Sequence, residues 1–363
     1  MDLEEAKAEA AKLFLEGTQG GDTKMEHSIK IEKLGIELPD LLFFGFSELL
    51  GWEIHGPWEK VRYGIWLEFK ARPFVFEHRK FGLAMLCSSE DRDSGLADEV
   101  LGRARGLVRL SERYLEAFGI ERINTGHAGI QNLYPVLRER YALLREMAEE
   151  AMAEVNPEVA DFLYLAPPMQ KAAALGTAAV DAYFSVQEHL FALAIAFTEG
   201  VPESGLIEFL RGDWGSKFRT VLDLGQDPAI KGFYDRLLQI RREWRNPLAH
   251  GGFLSGRDSL FFSVPRFGMV PARLSRTPRG VKLSFSLHPD TFEELMQTFD
   301  DFDSYLAAGP LRRAVEWAEA GLDVLLDPRS LAEYREAMRS DELFDSLIQR
   351  TNYLDEQHMN MDY

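Results

Sequence analysis

The sequence predicts an α+β chain, mainly helical, in which a helical bundle with an inserted β-hairpin follows a smaller mixed α/β N-terminal domain. Three observations carry this. Val61, Tyr63, Ile65, Leu67 and Phe69 alternate with Arg62, Gly64, Trp66, Glu68 and Lys70, the period of a half-buried strand. From Met169 onward, Ala- and Leu-rich text runs with helical spacing and short connections, which favours antiparallel neighbours in a bundle. Between the two, Asn156-Pro157 and Ala166-Pro167-Pro168 interrupt the helical pattern, because proline lacks the donor that a helix interior needs and restricts the residue before it.

In order along the chain, Asp2–Glu16 has the spacing of an amphipathic helix and stops at Gly17 and the Gly20-Gly21 pair. The alternating strand at 61–69 continues into strand-like text at Phe74–Phe76 and Phe81–Cys87. Helices are expected over Leu96–Phe118 and Ile130–Val155, with Gly126 and Gly129 as turn residues between them. The proline-rich stretch near 156–170 marks a domain boundary, giving a mixed N-terminal domain over 1–160; a sensing or regulatory role for it is an expectation that depends on what the helical domain does. The helical domain then spans 161–326, with helices at Met169–Phe197, Glu203–Leu210, Trp214–Leu222, Pro228–Trp244, Asp290–Leu306 and Leu311–Leu325. Leu260–Val264 and Val281–Leu287 read as the two strands of one hairpin, about 258–288, with a long connection. A C-terminal tail, 327–363, is helical in parts.

Composition narrows the function classes. A single cysteine, Cys87, cannot form an internal disulfide and reads as a small buried hydrophobe in a reducing compartment. The N-terminus is acidic rather than basic and apolar, so no secretory signal is expected, and the longest apolar run, Leu190–Phe197, is too short to span a bilayer. A cytoplasmic protein without a membrane partner follows. The net charge of −18 disfavours tight non-specific binding to nucleic acid. That average conceals a segregated patch: from Lys231 to Lys282 eleven basic residues face three acidic ones, a net +8 against −26 elsewhere. Such segregation points to an anionic partner for one region; the competing reading is a set of solvated arginines on loops.

The most informative text is Ile240-Arg241-Arg242-Glu243-Trp244-Arg245-Asn246-Pro247-Leu248-Ala249-His250-Gly251-Gly252. Asn246 and His250 are four apart and share a helix face, whereas Arg245 and His250 lie about 140° apart on an ideal helix. Pro247 breaks the helix there or opens a new one capped by Asn246, so the long Arg245 side chain can swing towards the imidazole. Upstream, Asp181-Ala182-Tyr183-Phe184-Ser185-Val186-Gln187-Glu188-His189-Leu190 supplies a long helix with aromatic and acidic positions. Together these residues resemble the HEPN superfamily: an Arg, a polar residue, and a His a few positions later, following a long Ala-rich helix. The resemblance runs from Lys171 to Gly252 and leaves residues 1–165 unassigned.

The resemblance implies a metal-independent endoribonuclease that works as a homodimer through this domain, a toxin or phage-defence effector acting on RNA, with a regulatory protein or antitoxin as a further partner. Chemically, arginine is a fixed positive fork matched to phosphate oxygens, and histidine exchanges a proton near neutral pH. On this reading Arg245 binds phosphate and stabilises developing charge, His250 transfers protons, and Asn246 orients the imidazole or the phosphate. Glu188 supports Arg245 or His250 from the neighbouring helix, and Arg241, Arg242 and Arg257 contact RNA. No metal or other cofactor is expected.

Plainer readings stand beside these. Asn246 can be a helix cap and His250 a C-terminal helix residue favoured by the macrodipole. Glu188 and His189 can be a hydrogen-bonded core pair. Asp300-Asp301-Phe302-Asp303 reads as a solvated face, and the other histidines lack metal-ligand spacing. At the level of the whole chain, the alternatives are a non-catalytic HEPN scaffold that binds nucleic acid or a protein, and a pure protein–protein assembly role.

Overall fold

Helices carry most of the described residues, and antiparallel pairing builds a five-stranded sheet and several two-stranded pairs, so the fold is α+β and mainly helical. The computed structural model describes residues 2–20, 29–31, 34–155, 167–198, 205–225, 227–245, 261–266, 268–271, 275–277, 280–282 and 289–360. Contacts divide the chain into one unit of residues 1–126 with 349–363 and another of residues 127–348. Among the described residues no helix is long and apolar enough to cross a membrane.

In the first unit, Asp2 caps α1 (Leu3–Leu13), its carboxylate accepting the Glu5 amide at 2.8 Å. There follow β1 (Gly17–Gln19), β2 (Ile29–Ile31), and α2 (Pro39–Phe44), which runs on into a π-helical turn at Gly45–Leu49. Then come β3 (Val61–Phe69), β4 (Arg72–Arg79), β5 (Gly82–Cys87), α3 (Ser89–Asp93) and the long α4 (Leu96–Asn124). The sheet order is β1-β3-β4-β5-β2, all antiparallel. Alternation in β3 does what its period dictates: Val61, Ile65, Leu67 and Phe69 are buried. Ile65, Leu67 and Phe69 join Phe46, Phe74, Phe76 and Cys87 with Val100, Ala104 and Leu107 of α4 in one aromatic-rich core. Gly45 allows the turn after α2 to press against α4; a Cβ there would lie 2.6 Å from Leu107 Cγ and from Ser111 Oγ.

The second unit contains β6 (Gly129–Ile130), α5 (Tyr134–Ala153), α6 (Pro167–Ala194, closing in a 3-10 turn at Ile195–Phe197), α7 (Leu206–Arg211), α8 (Trp214–Val221) and α9 (Pro228–Ile240). A π-helical turn, Arg241–Arg245, extends α9. Next are β7 (Phe261–Val264), β8 (Gly268–Pro271), β9 (Ser275–Thr277), β10 (Gly280–Lys282), α10 (Pro289–Ala308), α11 (Arg312–Glu319), β11 (Val324–Leu325), α12 (Pro328–Ala337) and the start of α13 (Asp341–Asn360). α6 is the central helix, packing on α5, α8 and α11. Its aromatic residues build the core: Tyr183 stacks on Phe299 with ring centroids 3.7 Å apart, and Phe184 meets Trp214 edge-on at 5.4 Å.

Several expectations change. The contact division falls between Gly126 and His127, since α5 packs on α6 and so goes with the second unit; residues 156–166 of the expected boundary lie outside the described residues. Among the described residues two local hairpins, β7 with β8 and β9 with β10, stand in place of the single one with a long connection; residues 283–287 of its expected second strand lie outside them. The first closes through Pro265 and Arg266, the latter at φ 70°, and a short loop costs less closure entropy than a long one. The segment expected to be helical over 311–325 stops at Glu319 in α11, and Val324–Leu325 pairs instead with Gly129–Ile130, so Gly129 is a strand residue. The acidic run is a solvated face only in part: Asp301 is exposed, Phe302 is buried, and the other two carboxylates are paired. Asp300 takes Arg145 in a two-pronged pair at 2.5 and 2.8 Å. Asp303 accepts Arg138 at 2.5 Å, the Tyr183 hydroxyl at 2.9 Å and Gln187 Nε2 at 3.0 Å.

Candidate functional site

Three elements of the second unit meet where α9 ends. α6 carries Asp181 and Glu188, seven positions apart and therefore two turns apart on one face. α8 carries Lys217 behind its cap residue Asp213, whose carboxylate accepts the Ser216 amide at 2.7 Å. The π turn after α9 carries Arg241 and Arg245. A π turn widens the helix by one residue per bond, and such single turns recur where side chains must be aimed.

Arg245 reaches α6. Its Nε donates to Asp181 Oδ1 at 2.8 Å, and one terminal nitrogen lies 3.4 Å from Glu188 Oε1. Glu188 is shared: its other oxygen, Oε2, lies 3.6 Å from Lys217 Nζ. Lys217 is a buried residue, 7% exposed, on the same face of α8 as Trp214, Phe218 and Val221. Arg241 is nearly as enclosed, with 14% of its side chain exposed, and its ion pair among the described residues is long, 3.9 Å to Asp213 Oδ2. Its Nε is buried without a hydrogen-bond partner among the described residues. Burial, and next the neighbouring Arg245 charge, push the Arg241 guanidinium below its ordinary range; Glu188 and Asp213 pull the other way.

Lys217 and Arg245 thus meet on one partly enclosed carboxylate, Glu188, with Arg241 beside them, while among the described residues the cluster's other two carboxylates, Asp181 and Asp213, are largely exposed. Desolvated cations in excess of enclosed anions are costly unless an anionic ligand completes the set. The arrangement is suited to receive the oxygens of a phosphate or carboxylate.

Of the residues singled out from the sequence, Glu188, Arg241 and Arg245 are brought together here. Arg242 is exposed and does not face this cluster through any ion pair among the described residues. Asn246, His250 and Arg257 lie outside the described residues. Glu188 and His189 do not form a pair: His189 Nε2 accepts the Leu133 amide at 2.8 Å, at the start of α5. Burial, with Lys217 as a lesser cause, holds His189 below the usual imidazole range.

Sequence reasoning assigned no role to Asp181, Asp213 or Lys217. The signal for Lys217 was present: in Trp214, Lys217, Phe218 and Val221, a lysine occupies a helical stripe that is otherwise apolar. Asp181 was legible only as the residue two turns before Glu188. Comparison of the chain with protein-family models, with curated proteins and with solved structures finds no match in any of the three.

Proposed function

We propose that this chain is a metal-independent endoribonuclease of HEPN type, cleaving RNA by attack of a ribose 2′-OH on the adjacent phosphorus. The observation that carries the proposal is the guanidinium of Arg245, first residue of the Arg-Asn-x3-His pattern, lodged against α6 beside Glu188 and the enclosed Arg241. Arg245 and Arg241 bind the scissile phosphate, and Arg245 offsets the charge that builds on its non-bridging oxygens. His250 moves the protons: one leaves the 2′-OH as the new P–O bond forms, and one is delivered to the departing 5′ oxygen as the old bond breaks. Asn246 orients the imidazole or the phosphate. The products are a 2′,3′-cyclic phosphate and a 5′-hydroxyl. A homodimer through the helical domain sets two such sites together, and a role as a toxin or phage-defence effector, held silent by an antitoxin or other regulatory partner, fits the same resemblance.

The test is RNA cleavage by the intact chain with a chelator present, comparing wild type with Arg245→Ala and His250→Ala. Each substitution is expected to lower the rate by about a hundredfold or more, the size of a lost charge-stabilising or proton-transfer group. Cleavage that survives both changes, or wild-type protein that leaves RNA intact, removes the proposal. One observation favours the second reading, a non-catalytic scaffold that binds nucleic acid: Arg245 is already engaged by two carboxylates. That reading expects salt-sensitive RNA binding and no cut strand.

A further inference from the structure

Glu188 is contested. One oxygen lies against Arg245 at 3.4 Å, the other against the buried Lys217 at 3.6 Å, so neither pair is at its closest approach. Lys217 is 7% exposed and sits on the apolar face of α8, a place where a lysine is retained at a cost. Arg241, beside them, keeps a buried Nε without a partner among the described residues. Among the described residues, the enclosed part of the cluster therefore holds three cations and one carboxylate, which stands between two of them.

We infer that Lys217 is a positioning residue that acts through Glu188: when a phosphate enters, Glu188 is handed from Arg245 to Lys217, which leaves Arg245 and Arg241 to grip the phosphate together. The ligand chemistry is a phosphate oxygen pair, taken here as that of an RNA phosphodiester, and in this the inference rests on the ribonuclease reading. Asp181, 59% exposed in its side chain, releases the Arg245 Nε to solvent or ligand at the same time. Without Lys217, Glu188 loses the cation at its Oε2 and stays on Arg245 as a competitor of the phosphate. Removing the Glu188 charge abolishes the need for Lys217.

The experiment measures binding of a fluorescent RNA oligonucleotide carrying 2′-O-methyl groups, which cannot be cut by 2′-OH attack, over a salt series. It uses the full chain as wild type, Lys217→Met, Glu188→Gln and the double variant, with folding followed by circular dichroism. Lys217→Met is expected to weaken binding about tenfold, as ion pairs within one network couple. Adding Glu188→Gln to Lys217→Met should restore affinity to within about threefold of wild type. Glu188→Gln alone should tighten binding, which keeps the idea testable if Lys217→Met fails to fold. Arg241→Gln should weaken binding and reduce the slope of log K against log salt by about 0.7, the value for one lost contact to a single strand.

A purely structural Lys217 would leave the double variant as weak as Lys217→Met, and that result overturns the inference. So does unchanged binding in Lys217→Met, or weaker binding in Glu188→Gln alone. Inorganic phosphate as competitor separates the sources: displacement of RNA at millimolar phosphate is expected, since both share the site. Phosphate binding with the same variant pattern but no RNA binding would sink the ribonuclease reading and leave the hand-off standing. RNA binding with that pattern and no cleavage of ordinary RNA would do likewise.

Discussion

Asp303→Ala tests how the second unit is held together, and its cost can be worked from three bonds. The carboxylate accepts Arg138 at 2.5 Å, Tyr183 at 2.9 Å and Gln187 at 3.0 Å. Arg138 loses least, because 41% of its side chain already reaches solvent. Tyr183 has a second acceptor, the Phe299 carbonyl at 3.3 Å, so it is weakened rather than orphaned, at about 1 kcal/mol. Gln187 is the expensive partner: it is 1% exposed and its Oε1 is without a partner among the described residues, so the variant strands the whole amide, at about 1–3 kcal/mol. Burial pushes the Asp303 carboxyl above its ordinary range, against the pull of Arg138, so removing it returns part of a desolvation cost. The expected loss is about 2–3 kcal/mol by urea unfolding. Gln187→Met in the same chain removes the stranded amide, so the double variant should recover about 1–2 kcal/mol relative to additivity. A loss below about 1 kcal/mol for Asp303→Ala, or strictly additive effects, would refute this reasoning.

Two further predictions concern stability. His189 is held neutral, with Nε2 accepting the Leu133 amide, and its pKa in the fold lies below the unfolded value. Its contribution is therefore complete above the unfolded imidazole range, about pH 6.5, and is lost as pH falls below it. Urea midpoints at pH 7.5 and 5.5 should show this, and His189→Gln should flatten the difference; an equal pH dependence in both chains would count against it. In the first unit, Gly45→Ala should cost about 1–3 kcal/mol despite alanine's better helix propensity, since Leu107 and Ser111 occupy the space. Gly102→Ala in α4, where nothing lies within 4 Å of the new methyl, should instead stabilise by up to about 1 kcal/mol. Thermal melts that move both variants the same way would contradict that contrast.

The ease with which different parts were read from sequence follows from how local their determinants are. The β3 alternation gave its limits because one face of the strand is buried and the pleat has a fixed period. Trp214–Val221 and Pro228–Ile240 were legible because Asp213 and Asp227 cap them and their apolar stripes are clean. β1 and β2 were missed, being three residues each and defined only by the neighbours they pair with. The hairpins went wrong because partner choice among short strands depends on turn geometry at Arg266, which no periodicity reveals. At the site, Glu188 beside Arg245 was anticipated from the resemblance. Lys217 was overlooked because a charge on an apolar stripe was not weighed against its neighbours.

The widened turn at Arg241–Arg245 has a consequence for how the chain tolerates length changes. It holds one residue more than a regular turn would, like a shim set between a finished rod and whatever follows. With that slack already taken up, one further residue inserted between Ile240 and Arg241 would rotate the Arg241–Arg245 turn by about 100° around the helix axis. Arg245 would then leave the azimuth at which it meets Asp181 and Glu188, while the apolar stripe of α9, ending at Ile240, would stay seated. The bundle would be preserved and its aim lost.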